Sequence, residues 1–465
     1  MKRKKIDRDR DDAIEDSAPE HIPSRRHKTI LETSTDIPPD FEFNDEFSQA
    51  FYLMENSHKN LFVTGKAGTG KSTLLQYFRK HTEKNIVVLA PTGVAAVKIR
   101  GQTIHSFFKF PPKAIQKKHV RRLRNKSVIN NLDAIVIDEV SMLRADILDG
   151  IDQSLRINRD NNIAFGGVQI IIFGDLFQLP PVVGRQERQV LEMQYPSPYF
   201  FSAHVWQESE LQIFELNKVY RQKDDAFLNI LNRVRMGECN KQDLEKINQR
   251  VIRNIVHDEQ GIITLTATNS AAKAINSDCL DKINAQAVSY PSFIKGDFDE
   301  KLYPTDVALK LKVGAQVMLL KNDKEKRWVN GTLAEVSSLG PDNIEVNING
   351  KEYFLAKEKW EKIEYHFNNE ENTIEEKILG YFEQYPLMLA WAVTIHKSQG
   401  QNFEDLIIDM GDGAFAHGQT YVALSRCTKL EGIKLARPIV ISDIIFDKRI
   451  YEFMKQEEKE AAYSD

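Results

Sequence analysis

Residues 65–72 read GKAGTGKS, and this stretch decides the fold. It matches the phosphate-binding pattern GxxxxGK[ST], with strand-like LFVT before it and helix-like STLLQYFRKH after it. Glycines let a backbone wrap a phosphate chain, and the N–H groups at the start of the following helix attract the anion. We expect Lys71 to reach the terminal phosphates and the Ser72 hydroxyl to bind Mg²⁺. The predicted nucleotide-binding residues are Gly65, Lys66, Ala67, Gly68, Thr69, Gly70, Lys71, Ser72 and Thr73.

Two adjacent carboxylates supply the second half of the predicted site. AIVID (134–138) has the pattern of a buried strand, and Glu139 directly follows Asp138. Beside a phosphate loop, such a pair suits phosphoryl transfer, with Asp138 in the magnesium shell and Glu139 polarising the attacking water. A solvated acidic pair without a catalytic role is the alternative interpretation.

Three further polar residues are candidates to sense or neutralise the transferred phosphate. Gln178 lies in GDLFQLPPVV (174–183), after the apolar run QIIIF, and its amide is a candidate γ-phosphate sensor. Its alternative role is packing in a loop fixed by two prolines. A guanidinium stabilises the charge that develops in phosphoryl transfer, and Arg221 in VYRQ and Arg426 in YVALSRCT are the candidates. Position alone does not separate these two from exposed arginines.

Short apolar runs alternate with helical stretches around these motifs. Uninterrupted β-branched runs of this length suit strands buried on both faces, which predicts parallel sheets with helical crossovers. The runs form two series and predict two α/β units, with LFVT, IVVLA, AIVID and QIIIF in the first and IITLTAT, LIIDM and IKLA in the second. In addition, NIEVNI and KEYFL flank Asn349-Gly350, a signal for a type I′ hairpin in a small antiparallel β unit.

Composition excludes several protein classes. The 465 residues carry 63 Lys+Arg and 67 Asp+Glu, so the surface is not basic throughout, although a local basic groove remains compatible. The three cysteines, Cys239, Cys279 and Cys427, have no CxxC spacing, which argues against a disulfide framework or a structural zinc site. No apolar run is long enough for a membrane span, and no apolar signal core precedes the first domain, so we expect neither membrane insertion nor secretion.

The chain divides into segments of different composition. Residues 1–40 mix nine Lys/Arg with ten Asp/Glu, and we expect a disordered tail because few apolar residues offset the entropy of ordering. The other predicted segments are a first α/β domain at 41–210 with a small basic insertion at about 107–128, a second α/β domain at 211–310 and 381–465, and a β insertion at 311–380.

One basic stretch favours nucleic-acid binding. KFPPKAIQKKHVRRLRNK (109–126) carries eight Lys/Arg and no acid, in a chain whose net charge is −4. Basic residues beside Phe107, Phe108 and Phe110 suit a groove that follows a nucleic-acid backbone and stacks bases, with Phe108 as a candidate stacking residue. The alternative is a solvated basic helix whose phenylalanines pack in the core.

Eight ordered motifs along about residues 43–440 resemble those of superfamily-one helicases of the RecD-like, 5′→3′ class, most of all the Pif-one (petite integration frequency) type. They are GKAGTGKST (65–73), APTGVAA (90–96), GQTIHSFF (101–108), IDEVSML (137–143), GDLFQLPPV (174–182), VYRQ (219–222), TIHKSQG (394–400) and YVALSRC (421–427). The stretch EVSMLRADILDGID (139–152) also resembles one particular to the Pif-type branch. The resemblance implies two RecA-like parallel-sheet P-loop domains, a small basic wedge-type insertion and an SH3-like β-barrel insertion.

The resemblance also implies roles for residues at matching positions. Arg221 and Arg426 resemble arginine fingers, and Gln178 the sensor that links the two lobes. The family has an adenine-reading glutamine upstream of the P-loop, for which Gln49 is the candidate while Phe47 stands in the usual register. The residues that resemble the grip on single-stranded DNA are Pro91, Thr92 and His105 in the first lobe and Thr268, Asn269, His396, Lys397 and Ser398 in the second.

The motifs and the resemblance together predict an ATP-dependent DNA helicase that uses Mg²⁺, moves along single-stranded DNA and unwinds duplex. The 5′→3′ direction follows from the resemblance alone. The family implies genome maintenance, including DNA repair, recombination and telomere maintenance, with G-quadruplexes and R-loops as further substrates. One alternative is a single-strand translocase subunit of a RecD-like complex that unwinds little alone. The other is a nucleotide-gated binding switch whose ATPase activity is indifferent to DNA.

The expected partners are single-stranded and forked DNA, with G-quadruplex DNA as a further candidate. We expect a monomer in isolation and a cytoplasmic, nucleoid-associated location of bacterial type. The opening MKRKK makes a nuclear location the alternative, which the acidic residues after it weaken.

Overall fold

A parallel sheet with helices on both faces forms the first lobe. The computed structural model describes residues 43–123, 126–220 and 224–464, so the predicted disordered tail and Arg221 lie outside the described residues. The strands of this lobe are β1 (Asn60–Gly65), β2 (Ile86–Ala90), β3 (Gln102–Thr103), β4 (Ala134–Ile137), β5 (Gln169–Phe173) and β6 (Leu211–Leu216). They pair in parallel in the order β3-β2-β4-β5-β1-β6.

Helices cover both faces of this sheet. They are α1 (Asp45–Asn56), α2 (Lys71–His81), α3 (Gly93–Lys98), α4 (Ile104–Phe108), α5 (Ser127–Asn130), α6 (Ala145–Arg159), α7 (Arg185–Glu192) and α8 (His204–Glu208). Successive strand residues enter opposite cores: Ile135 and Ile137 pack on one face of the sheet, whereas Ala134 and Val136 pack on the other. Burial on both faces explains the uninterrupted apolar runs.

The second lobe begins with α9 (Asp225–Arg235), α10 (Lys241–Asn248), β7 (Ile263–Thr266) and α11 (Asn269–Lys282). An antiparallel insertion interrupts it. Its strands are β8 (Val288–Pro291), β9 (Phe293–Gly296), β10 (Ala308–Leu311), β11 (Gln316–Leu319), β12 (Leu333–Leu339), β13 (Ile344–Ile348), β14 (Lys351–Leu355), β15 (Glu358–Asn368), β16 (Thr373–Gln384) and β17 (Leu387–Leu389).

Three antiparallel sheets make up this insertion. Their orders are β14-β13-β12-β11-β17, β15-β16-β9 and β10-β8. The two residues between β13 and β14, Asn349 and Gly350, both have positive φ, at 52° and 82°, as a type I′ hairpin requires. The predicted hairpin and the predicted antiparallel β unit are therefore confirmed.

The chain returns to the second lobe through β18 (Ala392–Thr394), β19 (Leu406–Asp409), α12 (Gln419–Leu424) and β20 (Ile433–Leu435), and it continues into α13 (Lys448–Ser464). The second sheet is parallel, in the order β18-β7-β19-β20. The prediction of an α/β fold with two parallel sheets is confirmed. No helix among the described residues is long and apolar enough to cross a membrane.

Two borders of the predicted division differ from the strand pattern. β6 pairs with β1 along its length, so the first sheet extends beyond residue 210. The antiparallel strands run from Val288 to Leu389, wider than the predicted 311–380. The assignment of these segments as independent domains stays a prediction.

Two later segments pack against the first lobe. Ile450 and Met454 of α13 lie in its core, and the rings of Phe453 and Phe201 stack at 4.4 Å. The β15–β16 hairpin contributes Tyr365 to the same core. These contacts connect the insertion and the C-terminal helix to the lobe that carries the P-loop.

Candidate active site

The P-loop connects β1 to α2 and places Lys71, Ser72 and Thr73 in the first helical turn. Gly70 has φ 85°, and a Cβ there would lie 2.7 Å from the Phe47 ring, so the position demands glycine. Lys71 Nζ donates hydrogen bonds to the carbonyl oxygens of Gly65 at 2.6 Å and Lys66 at 2.9 Å. The loop is therefore held in a wrapped shape by its own lysine.

The paired carboxylates lie at the end of β4. Asp138 is buried, and its Oδ1 accepts a hydrogen bond from the backbone N–H of Glu139 at 2.9 Å. Burial, and next the charge of Glu139, raises the pKa of Asp138 to about 7, against the opposing charges of Lys98 and Lys71. Glu139 has positive φ (52°), which turns the chain sharply after the strand.

The donor set fits a magnesium ion held together with a nucleotide. Mg²⁺ prefers oxygen ligands and is usually held by one or two protein oxygens plus substrate phosphates. Asp138 offers a carboxylate, and Ser72 offers an exposed hydroxyl at the start of α2. The described residues contain no group of three or more His, Cys, Asp or Glu side chains that would form a metal cage of its own.

Gln178 lies where the two lobes meet. Its Nε2 donates to Asp175 Oδ2, and its Oε1 accepts from Gln399 Nε2 of the second lobe, both at 3.4 Å. Arg235 of α9 forms a buried ion pair with Asp175 at 3.0 Å. Burial raises the pKa of Asp175, but the positive charges of Arg235 and Lys71 outweigh burial and leave it lowered. A charged pair thus joins the lobes beside the P-loop.

Tyr421 of α12 contacts the P-loop itself. Its hydroxyl accepts a hydrogen bond from the backbone N–H of Ala67 at 3.2 Å and donates to Asp175 at 3.4 Å. Burial, and next the charge of Asp175, raises the pKa of Tyr421 to about 12, so the hydroxyl stays protonated at neutral pH. Sequence reasoning did not select Tyr421, Asp175 or Arg235, although the first two stand inside quoted motifs.

Arg426 lies just after α12 and is buried in the second lobe. Its guanidinium donates to the carbonyl oxygens of Val422, Ser398 and Gln401 at 3.0–3.3 Å and to the Ser425 hydroxyl at 2.9 Å. These contacts fix the side chain relative to α12, whose Tyr421 reaches the P-loop. The arginine-finger role of Arg426 stays a prediction.

The other predicted finger, Arg221, lies outside the described residues. Its neighbour Tyr220 is described, and the Tyr220 backbone N–H donates to the Gly68 carbonyl oxygen at 2.9 Å. The chain therefore passes the P-loop one residue before the predicted finger.

The predicted adenine reader lies on the outer face of α1. Gln49 is exposed, whereas Phe47 is buried against Gly70. Residues two apart on a helix point in widely different directions, so the face of α1 toward the P-loop carries Phe47 instead of Gln49. Adenine reading by Gln49 stays a prediction without a supporting contact.

Most of the predicted DNA-binding residues follow the carboxyl ends of parallel strands. Pro91 and Thr92 follow β2, His105 lies in α4 after β3, Thr268 and Asn269 begin α11 after β7, and His396 and Lys397 follow β18. The carboxyl ends of parallel strands are where open α/β sheets bind ligands. Burial lowers the pKa of both His105 and His396.

Two predicted DNA contacts are not supported. Ser398 is fully buried, and its hydroxyl donates to the Ile395 carbonyl oxygen at 2.8 Å, so it does not face a phosphate. Phe108 is 3% exposed and stacks on Phe110 with ring centroids 5.3 Å apart. The phenylalanines beside the basic stretch belong to the core, as the alternative interpretation held.

The basic stretch itself stays on the surface. Lys117 and Lys118 are exposed in a short 3₁₀ turn, whereas Ile115 and Val120 anchor the segment in the core. Asp146 Oδ2 of α6 accepts from the backbone N–H of Ile115 at 2.6 Å. The described part of the segment thus holds Lys117 and Lys118 toward solvent from a fixed position.

Comparison with known proteins assigns the family. Residues 44–245 match the family described as PIF1-like helicase, and residues 302–339 match DNA helicase Pif1, 2B domain. ATP-dependent DNA helicase Pif1 of Bdellovibrio bacteriovorus is 33% identical over 432 residues, 90% of this chain and 92% of that protein. The chain belongs to the PIF1-like helicase family. The mouse ATP-dependent DNA helicase PIF1 is also 33% identical, but the match covers only 57% of that longer protein.

Solved structures of a Pif1 helicase share the fold. Bacteroides sp Pif1 in complex with ADP-AlF4 is similar with a TM-score of 0.84 at 37% identity, over 90% of this chain and 98% of that one. The same helicase bound to ssDNA has a TM-score of 0.66 at 37% identity, over 91% and 98%. The unliganded Bacteroides sp Pif1 has a TM-score of 0.83 at 37% identity, over 90% of this chain and 98% of that one. This chain therefore superposes better on the ADP-AlF4 complex and on the unliganded form than on the ssDNA-bound form.

Proposed function

We propose that this protein is an ATP-dependent DNA helicase that moves 5′→3′ along a single strand and unwinds duplex DNA. The observation that carries the proposal is the contact between the P-loop and the second lobe, through Ala67 and Tyr421. The loop that would hold the nucleotide contacts both parallel-sheet lobes, so hydrolysis there can change how the lobes sit together. Membership in the PIF1-like family supports the reaction. The 5′→3′ direction is inferred from the resemblance of the motifs.

The hydrolysis step follows from groups around the P-loop. On ATP binding, the Lys71 ammonium exchanges the carbonyl oxygens of Gly65 and Lys66 for phosphate oxygens. Glu139 orients the attacking water, Gln178 responds to the γ-phosphate from the lobe interface, and Arg426 responds to it from the second lobe. Asp138 and Ser72 would hold Mg²⁺, which when bound neutralises charge on the phosphates.

Movement on DNA requires each lobe to hold the strand separately. The candidate grips follow β2 and β3 in the first lobe and β7 and β18 in the second. If hydrolysis opens the lobes while one grip holds, the strand advances relative to the other grip. The lower TM-score to the ssDNA-bound relative supports a rearrangement of domains when DNA binds.

The decisive experiment is unwinding of a forked duplex that carries either a 5′ or a 3′ tail, with Lys71→Ala as the inactive control. We expect ATP-dependent unwinding from the 5′ tail only. Unwinding from the 3′ tail alone would contradict the direction. ATPase activity equal with and without DNA would favour the nucleotide-gated switch, and DNA-stimulated ATPase without strand separation would favour the translocase subunit.

The finer properties are also proposals. We propose that single-stranded and forked DNA are the substrates and that G-quadruplexes and R-loops are unwound as well, which the same assay measures when those structures replace the fork. We also propose a monomer in isolation, which sedimentation tests, and a cytoplasmic, nucleoid-associated location, which imaging of the native protein tests.

A further inference from the structure

The segment that follows β5 meets the second lobe through buried polar contacts. Asp175 pairs with Arg235 of α9 at 3.0 Å, and the Arg235 guanidinium lies over the Phe177 ring at 4.1 Å from its centroid. Both charged groups are buried, so the pair exists only while the lobes are together. Opening this interface returns the two charges to water. The ion pair between Asp175 and Arg235 therefore stabilises the arrangement in which the two lobes are in contact.

α12 docks on the same segment at its own beginning. Gly418, which precedes α12, lies close to the carbonyl oxygens of Phe177 and Gln178. A Cβ at this position would lie 2.6 Å from the carbonyl oxygen of Gln178. His417 Nε2 lies 3.3 Å from the carbonyl oxygen of Leu176. The position of α12 relative to the first lobe is thus set by close backbone approach.

Tyr421 extends this contact to the P-loop. Its hydroxyl lies between the backbone N–H of Ala67 and the carboxylate of Asp175, at 3.2 and 3.4 Å. The Tyr421 hydroxyl donates a hydrogen bond to the Asp175 carboxylate, and its oxygen accepts a hydrogen bond from the backbone N–H of Ala67. Tyr421, a residue of the second lobe, therefore contacts both the P-loop and the ion pair between the lobes.

We propose that Tyr421 is a positioning residue for ATP hydrolysis, which couples the P-loop to α12 and so to Arg426, with Asp175 and Arg235 holding its hydroxyl in place. The inference deepens the proposed function and rests on it. A γ-phosphate that enters the loop changes the surroundings of the Ala67 N–H, and Tyr421 transmits that change to the second lobe. Arg426 lies five residues after Tyr421, and its Nε donates a hydrogen bond to the Val422 carbonyl oxygen of α12.

The matched control is a second buried tyrosine in the same protein. Tyr195 also donates its hydroxyl to a buried carboxylate, Asp149 Oδ2 at 2.9 Å, but it does so inside the first lobe. Tyr421→Phe and Tyr195→Phe each remove one hydroxyl that serves a buried carboxylate. A purely structural role predicts the same consequences for both variants.

The test measures ATPase kcat and KM with and without single-stranded DNA for the parent and both variants, with thermal midpoints alongside. We expect Tyr421→Phe to lower the DNA-stimulated kcat five- to tenfold, the effect of one lost hydrogen bond, while KM for ATP changes less than about twofold. Tyr195→Phe should keep the parent kcat and the parent ratio of stimulated to basal rates.

Two outcomes would overturn the inference. One is a Tyr421→Phe enzyme with the parent kcat and stimulation ratio. The other is an equal loss in the Tyr195→Phe enzyme, which would indicate general destabilisation. Failure of the proposed function is a separate result, because the parent itself would then show no stimulation by DNA.

Discussion

The hydroxyl of Tyr365 accepts a hydrogen bond from the backbone N–H of Val88 at 2.9 Å and lies 3.2 Å from the carbonyl oxygen of the same residue. Tyr365 belongs to the β15–β16 hairpin and Val88 to β2, so this contact docks the insertion on the first lobe. An ion pair between Arg79 and Glu376 reinforces it. Docking of this kind favours one arrangement of domains over others.

Weakening the docked hairpin should favour DNA binding. If binding requires a rearrangement, Tyr365→Phe removes a contact made only in the docked arrangement and shifts the population toward the competent one. We expect the Kd for a single-stranded oligonucleotide, measured by fluorescence anisotropy without nucleotide, to fall about threefold to tenfold. Tyr353→Phe on β14 is the control because its ring packs within the insertion against Trp328. If Tyr365→Phe binds the oligonucleotide with unchanged or weaker affinity, docking of the hairpin does not restrain DNA binding.

Lys71 is expected to be required for catalysis but not for binding of DNA. Lys71→Ala removes the only P-loop side-chain ammonium that the motif directs at the terminal phosphates, and a lost electrostatic contact of this kind typically lowers kcat about 10²–10³-fold. Single-strand affinity without nucleotide should stay within about twofold, since no proposed DNA contact involves Lys71. Lys80→Ala, an exposed lysine near the end of α2, should leave the ATPase rate unchanged.

Glu139→Gln separates binding from the chemical step. The substitution keeps the shape of the side chain but removes the base that orients water, so we expect kcat to fall about 10²–10⁴-fold with KM nearly unchanged. Steady-state ATPase kinetics measure both constants. A large rise in KM with kcat preserved would mean that Glu139 binds nucleotide instead of activating water.

Charge reversal in the basic stretch should change the salt dependence of DNA binding. Lys117→Glu with Lys118→Glu removes two exposed cations, and each lost phosphate contact reduces the slope of log K against log[salt] by about 0.7. We expect a slope shallower by about 1.4 and weaker unwinding. Lys241→Glu, on the exposed face of α10, is the matched control. An identical slope in the double variant would remove this segment from the DNA-binding surface.

Acidification should weaken the contact of α12 with the first lobe. Burial lowers the pKa of His417 despite the charge of Asp447, and its Nδ1 accepts a hydrogen bond from the Asp447 backbone N–H at 3.0 Å. The folded state thus binds a proton at His417 less readily than the unfolded state does. The stability that neutral His417 contributes is therefore present above about pH 6.5 and is lost as the pH falls below that value. The thermal midpoint should fall between pH 7.5 and 5.5, and His417→Gln should reduce that fall. Equal falls in both proteins would show that other groups cause it.

The local motifs allowed prediction of the parallel sheets, the P-loop and the Asn349-Gly350 hairpin, because each depends on residues adjacent in sequence. β6 was missed because it is an edge strand in which only Leu216 is buried, and its hydrophobic signal is correspondingly weak. Asp175 and Arg235 lie 60 residues apart, and neither carries a local signal that specifies the other. Phe108 was misjudged because a run of basic residues beside aromatics does not reveal which side faces the core.

The C-terminal helix α13 has a consequence for biosynthesis. Ile450 and Met454 complete the hydrophobic core of the lobe whose strands begin at Asn60, so that core stays unfinished until nearly the whole described chain has been synthesised. The first lobe therefore cannot reach its final packing on the ribosome ahead of the second, and the order of domain folding is not simply the order of translation.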